Sequence, residues 1–172
     1  QEAFPVINSL KRAGISKVVM MTGDSERTAR AVAAQIGVDE YYSEVLPEDK
    51  AGFVEREKAA GRKVIMIGDG INDSPALSAA DVGIAISDGA EIAREIADVT
   101  IGADNLYEIV TLKAISNGLM KRIHKNYRSI ILINAGLIAL GVTGIIQPTT
   151  SALLHNTSTL VIGLKSMQNL ID

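Results

Sequence analysis

The hexapeptide Gly68-Asp69-Gly70-Ile71-Asn72-Asp73 sets two carboxylates and an amide around a pair of glycines. Such a hard-oxygen cluster suits a magnesium ion and its phosphate ligands. Glycines at 68 and 70 let backbone N–H groups approach an anion closely. Thr22-Gly23-Asp24 is a second short polar loop, and Lys50 lies between the two in sequence, a point charge of the kind that neutralises a phosphoryl group. Taken singly, each has an ordinary explanation, because Asp and Gly dominate turns everywhere and a lone lysine is commonly a solvated surface charge. Their conjunction behind strand-like runs is what points to phosphoryl chemistry.

The elements that must position these loops alternate. Phe4, Val6, Ile7 and Leu10 predict a helix over Glu2 to Ala13, stopped at Gly14. Lys17-Val18-Val19-Met20-Met21 reads as a strand ending at the Thr22 loop, followed by a helix from Ser25 to Ile36 that closes at Gly37. The pattern then repeats: a helix from Glu48 to Ala60, a strand over Val64 to Ile67, the Gly/Asp loop, a short helix from Ser74 to Ala80, and strands Val82 to Ile86 and Val99 to Ile101. Alternation of this kind predicts an α/β fold with a parallel sheet, in which ligand loops sit at the carboxyl ends of the strands. A long helix is expected from Asn105.

Composition narrows the function classes. The 172 residues are 47% hydrophobic but only 3% aromatic, and the apolar residues crowd towards the C-terminus. A net charge of -3 leaves no basic surplus for nucleic acid, so no nucleic-acid partner is expected. With no cysteine there is no disulfide, thiolate site or cysteine nucleophile. Neither a signal nor a transit peptide opens the chain, which begins at Gln1 and reads as cut from something longer.

No charged residue occurs from Ser129 to Ile146, nor from Thr149 to Leu164, with Gln147-Pro148 between the runs. Each run is near the lower limit of about 17 residues for crossing a bilayer. Lys121, Arg122, Lys125 and Arg128 precede the first run and Lys165 ends the second, whereas the loop between carries no charge. By the positive-inside rule this predicts a multi-pass membrane protein with both ends of the hairpin, and the α/β domain, in the cytoplasm. A buried soluble helix pair would explain the apolarity but not the charge asymmetry.

Met21 to Asp24, Leu46-Pro47-Glu48-Asp49-Lys50, and the run Gly68 to Leu77 followed by Ala80 to Ala85 together resemble the phosphorylation domain of P-type ATPases, which has a haloacid dehalogenase-like fold. The resemblance covers nearly the whole chain and is most specific over Gly68 to Ala85. It implies an α/β haloacid dehalogenase-like parallel sheet with helices on both faces, followed by a two-helix transmembrane hairpin. The corresponding divisions are residues 1–104, a cytoplasmic linking helix over 105–128, and a membrane pair over 129–172. Carried over residue by residue, Thr22, Gly23 and Asn72 contact the phosphoryl group and Lys50 neutralises it. Asp24 fixes its loop, Gly68 and Gly70 shape the cofactor loop, Asp69 binds magnesium, and Asp73 supports both the magnesium and the lysine. These are electrostatic roles, the kind that dominate phosphoryl transfer. The resemblance implies Mg2+ and ATP as cofactors, with ATP held mainly by a domain outside this sequence. The family's phosphorylated aspartate lies in Asp-Lys-Thr-Gly-Thr, a pentapeptide this sequence lacks, so the chain alone is expected to be inactive.

Ending soon after two apolar runs is similar to the heavy-metal branch of the family, which implies export of a transition-metal cation such as zinc, cobalt, nickel, iron, cadmium or copper. The lipid bilayer and the pump's remaining domains are then its partners. Candidate ligands for the transported metal are Asn134 in the first run and His155, Ser158 and Thr159 in the second, because polar side chains inside membrane helices are costly and imidazole suits such metals. His155 resembles the histidine of a His-Glu-Gly-Thr-like motif, with Asn156 where the glutamate would stand. Ser158 and Thr159 are equally explained by helix packing. Two other readings stay open: a soluble haloacid dehalogenase-like phosphatase, opposed by the apolar C-terminal third and by the lack of any aspartate before Asp24, and a non-catalytic, membrane-anchored remnant of a pump.

Overall fold

The computed structural model describes residues 3–86, 95–102 and 105–170. It divides into two compact units, Gln1–Leu112 and Lys113–Asp172. In chain order the first unit holds α1 (Ala3–Arg12), β1 (Val19–Met21), α2 (Glu26–Ile36), β2 (Glu40–Tyr42), α3 (Pro47–Ala59), β3 (Ile65–Gly68), a 3-10 turn (Ile71–Asp73), α4 (Ser74–Ala79), β4 (Val82–Ile86) and β5 (Val99–Ile101). Then come α5 (Tyr107–Val142), which starts in the first unit, and α6 (Pro148–Ser166). The predicted alternation is found, and every ladder is parallel: β1 with β2, β3 with β4, and β4 with β5. Glu2, the predicted start of the first helix, lies outside the described residues.

Two features depart from the sequence-based expectation. The strand β2 was not predicted. The five strands among the described residues also form two ladders, β1-β2 and β3-β4-β5, where one sheet was expected. Met21 at the end of β1 nevertheless packs against the cluster of Val54, Met66, Ala76, Leu77 and Ala85, which joins α3, α4, β3 and β4. The opposite face holds Val6 and Leu10 of α1, Ile84, Ile101 and Ile109. That placement explains why the apolar stripe of α1 is read correctly, with Val6, Ile7 and Leu10 buried. On β3, Met66 and Gly68 are buried but Ile65 and Ile67 remain 41% and 36% exposed, an unusual state for a parallel strand, which is commonly covered on both faces, and one that goes with its place at the edge of the β3-β4-β5 ladder.

The second unit is a helical hairpin. No helix among the described residues is long and apolar enough to cross a membrane, so the two spans expected over 129–172 are found as a hairpin only. The physical reason lies in where the helices end. α5 closes at Val142, and Gly144 takes a left-handed φ of 74° just beyond it, a helix stop that excludes Ile145 and Ile146 from the helix. The apolar part of α5 is therefore shortened and continuous with Lys125 and Arg128. In α6 the run from His155 to Thr159 interrupts the apolar residues. The turn begins earlier than expected, and Gln147 and Pro148 serve as cap and first residue of α6.

With strands of only three to five residues, each ladder has few hydrogen bonds, and a recurring device starts each one. Asp39 donates its N–H to the Val18 carbonyl (2.9 Å) while its carboxylate accepts the Val18 N–H (2.8 Å). Asp81 makes the same closed pair with Val64 (3.0 and 3.0 Å), and Asp98 with Gly83 (2.9 and 2.8 Å). All three aspartates stand directly before a strand, opposite the residue with which they are in register. The Lys11 ammonium, and then the Val18 N–H, hold the Asp39 carboxyl below its usual range; the Val64 N–H, and then Lys63, do the same for Asp81. A folded value below the unfolded one gives stability that is complete above the unfolded value, about pH 4, and lost as pH falls through the folded values. Thermal unfolding followed by circular dichroism should therefore show a falling midpoint below about pH 4. The Asp81→Asn variant should lose less over that window than the parent. Parallel curves would show that the Asp81 pair contributes nothing to acid sensitivity.

Candidate functional site

The loop after β3 is built around Asp73. Its carboxylate Oδ1 accepts from Lys50 Nζ at 2.8 Å, and its Oδ2 accepts the Asp69 N–H at 3.3 Å. The pair is largely buried, with Lys50 and Asp73 side chains 14% and 11% exposed. Gly68 is required by this packing, since a Cβ there would stand 2.6 Å from that of Asp73. Sequence reasoning assigned Gly68 to anion approach; the structure adds that it makes room for the aspartate. Gly70 meets no such obstruction, its nearest neighbour being the Asn72 nitrogen at 3.9 Å. Lys50 is placed by the start of α3, where Pro47 occupies the first turn and the Asp49 carboxylate accepts the Leu46 N–H at 3.4 Å. That fixes Lys50 one turn into the helix.

The Thr22 loop joins the same end of the fold. Thr22 donates its N–H to Tyr42 O and accepts from Val45 N on its carbonyl, both at 3.0 Å, so it is tied to the segment that leads into α3. The Thr22 hydroxyl donates to Asp24 Oδ2 (2.9 Å) and accepts the Asp24 N–H (3.1 Å). Asp24 is thus bonded within its own loop, and Gly23 is exposed. Glu26, which sequence reasoning did not single out, supports this corner by accepting from Tyr41, Ser43 and Arg30. The Ser43 hydroxyl, followed by Tyr41, holds the Glu26 carboxyl below its usual range. The signal for such a residue is weak in sequence, because Tyr41 lies on a strand that the sequence pattern does not predict and Ser43 follows directly after it.

Asp69 and Asn72 stand exposed, with no side-chain partner among the described residues. Asp69 is thus free to bind a cation or a phosphate-bound metal, whereas both oxygens of Asp73 are engaged. Among the described residues no group of three or more His, Asp or Glu side chains is gathered to hold a metal ion. Asp69 as a hard-oxygen donor fits magnesium, which commonly takes one or two protein carboxylates and completes its shell with phosphate and water.

In the second unit, Asn134 and His155 are brought together: His155 Nδ1 lies 2.7 Å from Asn134 Oδ1, bridging α5 and α6. With the amide oxygen accepting, the ring's lone pair is left on Nε2. Both residues line a groove of about 530 Å³ with Gly141, Pro148 and Ser151. Ser158 and Thr159 do not join them, because both hydroxyls donate back to the His155 carbonyl at 2.8 and 3.0 Å.

The buried pair can be tested by stability. Lys50→Met strands the Asp73 carboxylate and should cost about 3 kcal/mol in urea unfolding, the lower edge of the range for breaking a buried pair. Adding Asp73→Asn should recover part of that loss. A cost below about 1 kcal/mol, typical of surface pairs, would mean that the loop does not depend on it.

A family model described as a haloacid dehalogenase-like hydrolase matches residues 1–81. A manganese-exporting P-type ATPase of Mycobacterium leprae is 39% identical over 162 residues, covering 94% of this chain and 22% of the relative. A copper-transporting ATPase of Rhizobium meliloti is 43% identical over 148 residues, covering 86% of this chain and 18% of the relative. The chain therefore spans about a fifth of the length of these relatives. The solved structure of a zinc-transporting PIB-type ATPase superposes with a TM-score of 0.81 at 31% identity, covering 96% of this chain and 27% of that one. In its motifs, its haloacid dehalogenase-like α/β fold and these likenesses, the chain belongs, as a part, to the heavy-metal P-type ATPases.

Proposed function

We propose that this chain is the C-terminal part of an ATP-driven pump that exports a heavy-metal cation, and that it supplies the pump's magnesium- and phosphoryl-binding loops. The observation that carries this reading is the buried Lys50–Asp73 pair under a loop that leaves Asp69 and Asn72 free. Asp73 orients Lys50 and holds the Asp69 backbone. Thr22, Gly23 and Asn72 then offer donors to phosphoryl oxygens, while Lys50 faces them with positive charge. Bound magnesium would neutralise phosphate charge at Asp69. ATP would be held mainly by a domain outside this sequence, together with the aspartate that accepts the phosphoryl group. The edges of β1 and β3 that are unpaired among the described residues favour this, since a further parallel strand between them would place a residue at the carboxyl ends of both.

The hairpin is read as part of the pump's membrane region. Its helices bury almost nothing of their own: α6 has no buried residue, and large apolar side chains such as Leu132, Ile138 and Leu153 are exposed. Surfaces of that kind meet lipid or neighbouring helices. A helix within a bundle can line a polar path and so need not be apolar throughout. Asn134 and His155 are the candidate ligands for the cation, through His155 Nε2. Manganese, zinc and copper are the metals named for the relatives and the solved structure, and they define the range to test. The α/β unit would then lie on the cytoplasmic side.

The test uses the longer protein that contains this chain, in sealed vesicles. Metal-stimulated ATP hydrolysis and a phosphorylated intermediate are expected, and Asp69→Asn should lower the turnover at least about 100-fold, the scale of removing one charge-stabilising group. His155→Ala should change which metal stimulates while leaving the fold intact. Full metal-stimulated activity in Asp69→Asn would sink the assignment of these loops.

A further inference from the structure

Charge is divided unevenly between the two units. Gln1–Leu112 carries eleven basic and nineteen acidic residues, a net of -8, and Lys113–Asp172 carries six basic and one acidic, a net of +5. From Ile109 to Ile171 there is no acidic residue at all. Lys121, Arg122, Lys125 and Arg128 therefore have no carboxylate nearby in sequence, and the structure sorts them into two kinds.

Arg122 is committed internally. Its Nη1 donates to the carbonyls of Ser166 (2.9 Å) and Gln168, and its Nη2 to that of Asn169 at 2.7 Å. These are orphan carbonyls at and beyond the C-terminal end of α6, so the guanidinium acts as a cap and favours the negative end of the helix dipole. Asn126 adds a bond to the Ser166 hydroxyl. Lys121, Lys125 and Arg128, by contrast, are exposed and take no part in any ion pair among the described residues.

Their spacing of four and then three residues puts these three cations on one face of α5. They span about 10 Å along the axis, enough to cross a headgroup layer of about 5 to 7 Å. The same face continues four residues on to Leu132, 72% exposed, at the start of the uncharged run, and Tyr127, next to Arg128 in sequence, is 64% exposed. Cations followed by an apolar side chain, with a tyrosine at the junction, match a surface that meets phosphate first and acyl chain next.

We propose that Lys121, Lys125 and Arg128 form a binding surface for anionic phospholipid headgroups, with Arg122 excluded from it by its role at the end of α6. This rests on the membrane reading of the hairpin and adds a lipid preference to it. Attraction to an anionic leaflet grows with each nearby basic residue, and removing three should weaken partitioning about 100-fold.

The experiment is sedimentation of the whole 172-residue chain with vesicles of phosphatidylcholine alone or mixed with phosphatidylglycerol. The chain should bind the anionic vesicles far more tightly, and raising salt should reduce the difference. K121Q/K125Q/R128Q should lose the preference while still binding neutral vesicles, K121R/K125R should keep it, and Arg122→Gln should keep it too. Anionic preference persisting in the triple variant overturns the assignment. Equal binding of the parent to both vesicle types overturns the headgroup surface and leaves the membrane reading standing; binding to neither removes both.

Discussion

The buried ion pair between Lys50 and Asp73 is the interaction on which the geometry of the proposed phosphoryl site depends. A carboxylate as sheltered as Asp73 is costly to bury without a partner, because desolvation costs several kcal/mol per ion in a protein interior. Lys50 meets that need at 2.8 Å, and the second oxygen receives the Asp69 N–H. The consequence spreads outward. Gly68 must lack a side chain, the loop must fold tightly over it, and the following α4 must begin at Ser74. Asp69 is then the carboxylate that the loop turns outward.

The same pair explains why the start of α3 is so heavily specified. Lys50 reaches Asp73 only if the helix begins where it does, and Pro47 with the Asp49 cap sets that beginning. The segment ahead of Pro47 is bound to Thr22 through Val45. Thus a single line of backbone and side-chain contacts runs from the first loop through the helix start to the second. Strands of three to five residues could not hold these loops by ladder bonds alone. The aspartates at 39, 81 and 98, each closing a two-bond ring with the opposite residue, supply order at the far ends of the ladders.

Much of this was legible in the sequence, and the remainder was not for identifiable reasons. The loops at Thr22 and Gly68 were readable because glycine, aspartate and lysine have few other reasons to occur together behind β-branched runs. Strand β2 escaped because Glu40-Tyr41-Tyr42 is three residues long and too short for an alternating pattern. The division into two ladders was invisible, since pairing depends on what lies between strands and not on the strands themselves. Absence of charge from Ser129 to Ile146 suggested a span, but Gly144 ends the helix within that run. Likewise, Asn134 meets His155 through the register of two helices, which no local spacing encodes. Ser158 and Thr159 look like ligands by type, yet local bonding to the His155 carbonyl claims their hydroxyls.

The two candidate sites differ in how far this chain can complete them. Magnesium tolerates a sparse protein contribution, because water and phosphate fill most of its six positions. One outward carboxylate at Asp69 therefore goes a long way, provided a phosphoryl group is present. A transition-metal cation held between helices has no such substitute in a dry environment, and tetrahedral coordination asks for about four donors. His155 and Asn134 offer two, already hydrogen-bonded to each other. That bond has a consequence for selectivity: a cation must compete with Asn134 Oδ1 only if it binds Nδ1, whereas Nε2 is open without displacing anything. Holding the imidazole in one orientation through the amide is what a ligand histidine needs from its surroundings. The pair is thus better suited to aiming one nitrogen at a cation than to enclosing it, and in the proposed pump the remaining donors would come from other helices.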